Sequence, residues 1–284
     1  MDALHDPFFF TITCTLLGLI VGSFLNVVIL RLPKMMEQSW RRECSELLAQ
    51  PVSTETPISL SQPNSQCPAC GANIRPWQNI PVVSWLLLRG CCAQCDTRIS
   101  ARYPFVELLT GTLTGLAARQ FGFGPEALSA FILIWILIAL TGIDIDTQLL
   151  PDSMTLALLW IGLAVNLFDT WTSLPSAVMG AMLGYGSLWS VYWVFKLVTG
   201  KEGMGYGDFK LLAALGAWFG WQTVPVIILL SSFAGALLGI SILLLRRLER
   251  DTPMPFGPYL AGAGLVILFF GETLMTEYLQ RVTL

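Results

Sequence analysis

The uncharged stretch FFFTITCTLLGLIVGSFLNVVIL, residues 8–30, determines the fold class of this chain. An α-helix needs about 20 mainly apolar residues to cross the hydrocarbon core of a bilayer, and this stretch is long enough. The residues before it include Asp2 and Asp6 and no lysine or arginine, unlike the basic start of a cleaved signal peptide. We therefore interpret residues 8–30 as a first membrane span that the protein retains.

The composition of the whole chain also indicates a membrane protein. Hydrophobic residues make up 54% of its 284 residues and charged residues 12%, whereas a soluble domain has roughly 25% charged residues. Seven more apolar runs occupy 103–120, 126–143, 153–169, 174–197, 209–221, 223–245 and 256–274. We predict an all-α polytopic membrane protein with about eight transmembrane helices, in which the short run 209–221 lies inside the bundle.

Positively charged residues are distributed unevenly between the apolar runs. The polar segment 34–102 carries Lys34, Arg41, Arg42, Arg75, Arg89, Arg98 and Arg102. Because short loops rich in lysine and arginine favour the cytoplasmic side, we expect this segment to be cytoplasmic and both termini to lie on the other side. The sequence then divides into a first transmembrane helix (1–33), a cytoplasmic loop (34–102) and a seven-helix membrane core (103–284).

Four cysteines in the loop form two CxxC pairs, Cys67-Pro-Ala-Cys70 and Cys92-Ala-Gln-Cys95, with 21 residues between the pairs. Two such pairs at this separation are typical of zinc ribbons, in which tetrahedral zinc takes four thiolates from two tight turns. Two redox pairs or disulfides are the alternative, which a reducing cytoplasm disfavours. Cys91 could replace Cys92, but Cys92 keeps the CxxC spacing. We predict a structural Zn²⁺ site in a zinc-ribbon-like loop.

Two aspartates lie where a long apolar run meets a polar stretch: Asp144 in LTGIDIDTQLLPD (140–152) and Asp208 in GMGYGDFKLL (203–212). A carboxylate at the edge of the hydrocarbon is costly and usually marks a functional site. Two of them on different helices can share a proton, as in aspartic proteases. Alternatively, each is a helix cap or a solvated residue. As catalysts, Asp144 at a helix end would hold the shared proton, and Asp208 at a helix start would be the base.

Three alternate glycines, Gly203, Gly205 and Gly207, precede Asp208. Each costs about 1 kcal/mol relative to alanine in a helix, so helix formation does not explain them. They allow unusual backbone angles and the close approach of an extended substrate peptide. Alternatively, the glycines form a flexible turn and Asp208 is an ordinary N-cap of the next helix. The pattern leaves both interpretations open.

Two other acidic residues have simpler interpretations. Asp152 follows Pro151 and precedes an apolar run, which predicts an N-terminal cap of the next helix. Glu107 lies about one turn into the second span. It favours the alternative of a transporter, in which carboxylates relay protons across the membrane. It could equally pair with Arg102 or Arg31.

Several function classes are disfavoured. The only histidine is His5, on the non-cytoplasmic side of the predicted topology, so a Ser-His or Cys-His pair has no base near the aspartates. The sequence has neither a phosphate-binding loop nor a dinucleotide fingerprint, and we expect no nucleic-acid partner. A membrane-embedded aspartic hydrolase remains, with a carboxylate-lined proton-coupled transporter as the alternative from a different class.

Longer motifs resemble one known family. In order, they are GSFLNVVILRLP (22–33), the paired CxxC motifs, IPVVSWLLLRGCC (80–92), YPFVELLTG (103–111), IDIDTQLLPD (143–152), GKEGMGYGDFKLLAALGAWFGW (200–221) and PFGPYLAGAG (255–264). Together they are similar to the bifunctional type IV prepilin leader peptidase/N-methyltransferases of bacterial inner membranes. The resemblance runs from about residue 21 to residue 270.

This resemblance implies a GxGD-type aspartic endopeptidase. It would cut the basic leader from prepilins and secretion pseudopilins after a glycine on the cytoplasmic face, and then methylate the new amino terminus with S-adenosylmethionine. The family's catalytic aspartates match Asp144 and Asp208, and its zinc cysteines match the two CxxC pairs. A glycine tied to methyl transfer matches Gly90; no cofactor motif is legible, so methylation rests on the resemblance. A peptidase-only relative is the alternative, which the paired CxxC motifs disfavour.

Overall fold

The computed structural model of the chain describes residues 6–49, 57–67, 69–201, 203–246 and 255–282. Over these ranges the protein is built from α-helices joined by turns and short 3-10 helices, without β-strands, which confirms the predicted all-α class. The helices are α1 Pro7–Leu47, α2 Val83–Leu87, α3 Arg102–Phe121, α4 Pro125–Thr147, α5 Asp152–Val165, α6 Leu174–Thr199, α7 Tyr206–Phe219, α8 Val224–Arg246 and α9 Gly257–Val282.

Within the described part of the chain, four regions of helix are long and apolar enough to cross a membrane: Pro7–Leu47, Pro125–Thr147, Trp221–Ser241 and Gly257–Leu274. Each of the eight predicted apolar runs coincides largely with one helix, because every run has the length and apolar content of a helix that buries one face in protein or lipid. The protein is an all-helical membrane protein, and the figure of eight spans stays a prediction.

The first helix is longer than the apolar run that predicted it. Asp6 begins α1 by accepting a hydrogen bond from the amide of Phe8 at 2.9 Å, and the helix then continues to Leu47. Pro33 lies inside it, where the missing N–H and the ring usually end or kink a helix. The start of the predicted loop is therefore helical.

The chain forms two compact units, Met1–Phe123 and Gly124–Leu284. In the first unit α1 packs along α3 through small residues. A Cβ atom on Gly18 would lie 2.7 Å from the Thr114 hydroxyl oxygen, so the two helices approach more closely than larger side chains permit. The division of the chain into a first helix (1–33), a loop (34–102) and a membrane core (103–284) stays a prediction.

The second unit is built around α7. Its residues Leu211, Leu212 and Leu215 are fully buried, which confirms that the short apolar run lies inside the bundle. Gly180 on α6 and Gly216 on α7 touch backbone to backbone, so α6 can lie directly against α7.

A buried asparagine holds the end of α7. The Asn166 side-chain amide donates to the carbonyl oxygens of Ala217 and Trp218, both at 2.9 Å. Its carbonyl oxygen accepts from the backbone amides of Trp171 and Thr172 at 3.0 and 3.2 Å. Because the last carbonyl groups of a helix have no partner within the helix, these bonds satisfy two of them and fix the end of α7.

Candidate active site and metal centre

Asp144 lies in the last turn of α4, and its side chain is 4% exposed. One carboxylate oxygen, Oδ2, accepts a hydrogen bond of 2.9 Å from the backbone amide of Gly257, the first residue of α9. The helix ends four residues later with Gln148 in the left-handed conformation, its amide donating to the Asp144 carbonyl oxygen at 2.9 Å. Asp144 is therefore fixed both through its backbone and through its side chain.

Asp208 lies in the first turn of α7 and is 6% exposed. The cap position belongs to Gly205, whose carbonyl oxygen accepts from the Asp208 amide at 3.3 Å. The alternative reading of Asp208 as an ordinary N-cap is therefore wrong. Asp208 is the third residue of the helix, where the positive end of the helix dipole favours a negative charge.

The structure brings the two predicted aspartates together. Their carboxylates are close enough to interact electrostatically, although 64 positions separate them in the chain (208 minus 144). One comes from the end of a helix and the other from the beginning of another, and both are largely shielded from water. Two buried carboxylates that interact in this way favour a state in which one of them carries a proton. This arrangement is suited to acid–base chemistry on a water molecule.

Leu150, in the connection between α4 and α5, lies between the segments that carry the two aspartates. A Cβ atom on Gly207 would lie 2.6 Å from Leu150 Cβ, and one on Gly257 would lie 3.2 Å from Leu150 Cδ2. Sequence reasoning assigned no role to Leu150 or Gly257. The stretch PFGPY that contains Gly257 was a visible signal, but only the fold brings it to Asp144.

The three alternate glycines before Asp208 have different surroundings. A Cβ atom on Gly203 would lie 2.8 Å from the Phe195 ring, and the space beside Gly207 is filled by Leu150. A Cβ atom on Gly205 would have Asp208 Oδ2 as its nearest neighbour, at 3.8 Å. The backbone of Gly205 is extended (φ −80°, ψ 150°), a conformation open to any residue. Gly205 is thus the glycine of the three with open space beside an aspartate.

Asp152 does not cap α5, so that prediction is wrong. The helix begins at Asp152 itself with Pro151 in the cap position, and no side chain caps it. The Asp152 carboxylate instead accepts a hydrogen bond of 2.6 Å from the Lys210 ammonium group. Asp146, in the last turn of α4, is exposed.

The four cysteines of the CxxC pairs converge at one point. The sulfur atoms of Cys67, Cys70, Cys92 and Cys95 all lie within 4.8 Å of one another, and all four are free thiols. The Cys67 and Cys95 sulfurs are 3.8 Å apart. Four sulfurs bound to zinc at about 2.3 Å in a tetrahedron are separated by about 3.8 Å. The donor set and its spacing therefore fit zinc.

The two CxxC turns have the same backbone geometry. The Cys67 amide donates to Ala72 O and the Cys92 amide to Thr97 O, both at 2.9 Å. Gly71 and Asp96 occupy equivalent left-handed positions, and their amides donate back to the cysteine carbonyl oxygens at 2.9 and 3.1 Å. The two turns therefore present their cysteine pairs on equivalent backbone scaffolds.

Hydrogen bonds within this cluster separate the pKa values of its thiols: the neighbouring cysteine side chains, Cys95 first among them, raise the pKa of Cys70 to about 11, whereas the pKa values of Cys95 and Cys67 are lowered. The hydroxyl and the backbone amide of Thr97 lower the pKa of Cys95 to about 6. Backbone amides of Cys70 and Ala69 lower the pKa of Cys67. Thiolate is the form that binds zinc. Cys91 lies outside the cluster, with its sulfur 3.7 Å from Arg89 O, and the structure groups Cys92 with the other three cysteines.

Gly90 occupies a position that only glycine fits easily. Its φ is +68°, and a Cβ atom there would lie 2.8 Å from the indole ring of Trp85. The Trp85 ring is fixed in turn by a hydrogen bond of 3.2 Å from its Nε1 to Ile99 O. The structure therefore gives Gly90 a role in shaping the loop beside the cysteine turns.

Glu107 on α3 anchors the segment before α2. Its Oε2 accepts a hydrogen bond of 2.7 Å from the amide of Val82, which has a φ of +60°. This backbone contact differs from the predicted pairing with an arginine. Arg31 donates instead to the carbonyl oxygens of Ser59 and Leu60, at 3.0 and 3.3 Å. Glu107 is 8% exposed and satisfies a backbone donor in a strained turn.

The sequence matches two protein-family models. The Bacterial Peptidase A24 N-terminal domain covers residues 16–121, and the Type IV leader peptidase family covers residues 131–240. The prepilin leader peptidase/N-methyltransferase of Pseudomonas aeruginosa is 55% identical over 275 residues, which are 96% of this chain and 95% of that protein.

Proteins of the same name from Stutzerimonas stutzeri and Aeromonas hydrophila are 54% and 53% identical, over 97% and 94% of this chain and 96% and 92% of theirs. No solved structure shows significant similarity to this one.

Proposed function

The chain belongs to the type IV leader peptidase family, and we propose that Asp144 and Asp208 are the catalytic carboxylates of its peptidase activity. The protein cleaves the leader peptides of type IV prepilins and N-methylates the cleaved product. The observation that supports the catalytic assignment most strongly is the pairing of two buried carboxylates from different helices. A buried, interacting pair is the arrangement that aspartic proteases use to share one proton.

The positions of the carboxylates suggest different roles in hydrolysis. Asp208, at the amino end of α7, is favoured as the ionised base that removes a proton from the attacking water. Asp144 carries the shared proton on Oδ1, since Oδ2 already accepts the Gly257 amide. As the water oxygen bonds to the scissile carbonyl carbon, that proton passes to the carbonyl oxygen. Collapse of the tetrahedral intermediate then breaks the C–N bond. The leaving nitrogen takes the proton that Asp208 removed from water, and a hydroxyl group of the intermediate returns a proton to Asp144.

The substrate chain has room to pass beside Gly205. In this proposal an extended prepilin segment lies along the open side of Gly205, with the residue before the scissile bond next to Asp208. The apolar helix that follows the cleavage point lies in the bilayer and the basic leader stays in the cytoplasm. The active site therefore faces the cytoplasm from a bacterial inner membrane, and cleavage follows a glycine of prepilins or pseudopilins.

The cysteine cluster is proposed as a structural zinc site. Cys67, Cys70, Cys92 and Cys95 would hold the ion, and a closed four-thiolate site leaves no position for substrate. Zinc then stabilises the loop and takes no part in hydrolysis.

The methyl group is proposed to come from S-adenosylmethionine. The loop shaped by Gly90 and the cysteine turns is the region that we connect with this second activity, since a family glycine tied to methyl transfer matches Gly90. This chain's own contribution would be to position the new amino terminus of the pilin.

Cleavage and methylation can be followed together on a purified prepilin. Wild type, Asp144→Asn and Asp208→Asn are compared by intact-mass spectrometry with S-adenosylmethionine present. Each substitution should leave the leader attached while pre-cleaved pilin is still methylated, because Asn can neither donate nor accept the catalytic proton. Asp146→Asn is the matched control, since this exposed carboxylate lies two residues from Asp144. Cleavage by either active-site variant at the wild-type rate would show that the pair is not catalytic.

A further inference from the structure

The Asp144 side chain is held by a hydrogen bond from a different helix, donated by the backbone amide of Gly257 at the start of α9. The Gly257 N–H donates to Asp144 Oδ2 at 2.9 Å in a buried setting. A backbone donor has no rotamer freedom, so this bond fixes the orientation of the carboxylate more firmly than a flexible side chain would. We propose that Gly257 is a positioning residue that orients Asp144 for peptide hydrolysis. The inference rests on the catalytic role proposed for Asp144.

The contact requires glycine because of the space around it. A Cβ atom on Gly257 would lie 2.6 Å from Asp144 Oδ2 and 3.2 Å from its Cγ. Real Cβ atoms do not approach an oxygen so closely, so any larger residue must push the carboxylate or the start of α9 away. The same side chain that accepts the amide hydrogen bond therefore excludes every other residue from this position.

Leu150 connects this position with the second aspartate. Its side chain lies against the spaces beside both Gly257 and Gly207, and Gly207 is the neighbour of Asp208. A displacement of the α9 start would meet Leu150 and reach the segment that carries Asp208. Gly257 is thus placed to control the orientation of one carboxylate and the separation of the pair.

The expected consequence concerns the chemical step rather than substrate binding. Positioning of catalytic groups is sensitive to small shifts, and a misplacement of 1 Å costs on the order of 100-fold in rate. Gly257→Ala should therefore lower kcat for leader cleavage by about 100-fold and leave KM unchanged. Methylation of pre-cleaved pilin should proceed at the wild-type rate, which shows that the protein is folded.

Gly262→Ala is the matched control. Gly262 lies on the same helix, and nothing lies within 4 Å of a Cβ atom added there. It tests the effect of an extra methyl group on α9 without contact to the aspartates, and its kcat should equal that of wild type.

A second variant separates the hydrogen bond from the steric effect. Replacement of Gly257 by glycolic acid, incorporated during cell-free synthesis into nanodiscs, exchanges the N–H for an ester oxygen and adds no atom. It should also lower kcat with KM unchanged, and it covers the case in which Gly257→Ala fails to fold.

The outcomes distinguish this inference from the proposed function. Loss of kcat in both Gly257 variants, with Gly262→Ala and methylation normal, supports the positioning role. Wild-type kcat in folded Gly257 variants, together with an inactive Asp144→Asn, would overturn the role of Gly257 alone. Equal losses in Gly262→Ala would also overturn it, because the effect would then belong to α9 in general. An active Asp144→Asn would reject the catalytic assignment itself.

Discussion

Lys210 donates a hydrogen bond of 2.6 Å to Asp152 and so joins the second turn of α7 to the first residue of α5. The Asp152 side chain is 58% exposed and that of Lys210 is 25% exposed. Ion pairs in such partly solvated settings contribute little to stability, usually less than about 1 kcal/mol.

Asp152→Asn should therefore be mild. We expect cleavage to stay near the wild-type rate and the protein in detergent to lose less than about 1 kcal/mol of stability. The initial rate of leader removal and a thermal unfolding midpoint measure the two effects. A Lys210→Met variant should show the same small effects as Asp152→Asn, since it also removes the ion pair between Lys210 and Asp152. Loss of cleavage in Asp152→Asn with normal folding would place Asp152 in the catalytic machinery.

Removal of one cysteine should release the metal. In Cys67→Ser the weaker hydroxyl ligand replaces a thiolate, so we expect bound zinc, measured by mass spectrometry of the metal, to fall well below one ion per chain. Cys91→Ser is the control, because Cys91 lies beside the cluster without belonging to it. Equal zinc content in wild type and Cys67→Ser would contradict the zinc site.

Gly90→Ala should impair methylation and spare leader cleavage. The substitution forces an alanine into a left-handed backbone, which costs about 1 kcal/mol or more, and also presses a methyl group against Trp85. Gly71→Ala provides the comparison, since Gly71 has nearly the same φ but open space around it. If Gly90→Ala lowers methylation more than Gly71→Ala at equal zinc content, the contact with Trp85 is the cause. Equal effects would assign the loss to backbone strain.

Glu107→Leu should loosen the segment that begins at Val82. It leaves the Val82 amide without its acceptor, at a cost of about 1–3 kcal/mol. Glu107→Gln keeps an acceptor oxygen and should be milder. Trypsin cleavage at the exposed Arg89 measures the difference, and we expect it to be fastest in Glu107→Leu. Identical cleavage rates in the three proteins would show that this hydrogen bond does not hold the segment.

Gly205→Ala and Gly207→Ala should change different properties of the enzyme, the first KM and the second stability and kcat. At Gly205 the added methyl group has room within the protein and would obstruct the substrate, so we expect a higher KM with normal stability. At Gly207 the methyl group meets Leu150 at 2.6 Å and should lower stability and kcat together. An unchanged KM in Gly205→Ala would exclude substrate passage beside this residue.

The parts of this protein that the sequence predicted share one property: their signal is local. Apolar runs of sufficient length became helices, and two short motifs brought four cysteines to one point. The pairing of Asp144 with Asp208 is the exception, because it joins distant residues; it was expected because each carboxylate lies at the edge of an apolar run, a costly position that usually marks a functional site.

The parts that escaped prediction depend on distant or backbone contacts. The hydrogen bond from Gly257 to Asp144 joins residues 113 positions apart and uses a main-chain donor that every residue except proline possesses. Asp152 has the local pattern of a cap, but Lys210, 58 positions away, takes its carboxylate. The extension of α1 through Pro33 likewise opposes local propensity, since a proline usually ends or kinks a helix.

The hydrogen bonds from Asn166 fix the carboxyl end of α7, the end opposite Asp208. With 14 residues, α7 is about 21 Å long, and Asp208 lies at one end while Asn166 holds the carbonyl groups at the other. Loss of these two hydrogen bonds, as in Asn166→Ala, would therefore free the end of α7 opposite Asp208 and disturb the catalytic pair from a distance of about 21 Å.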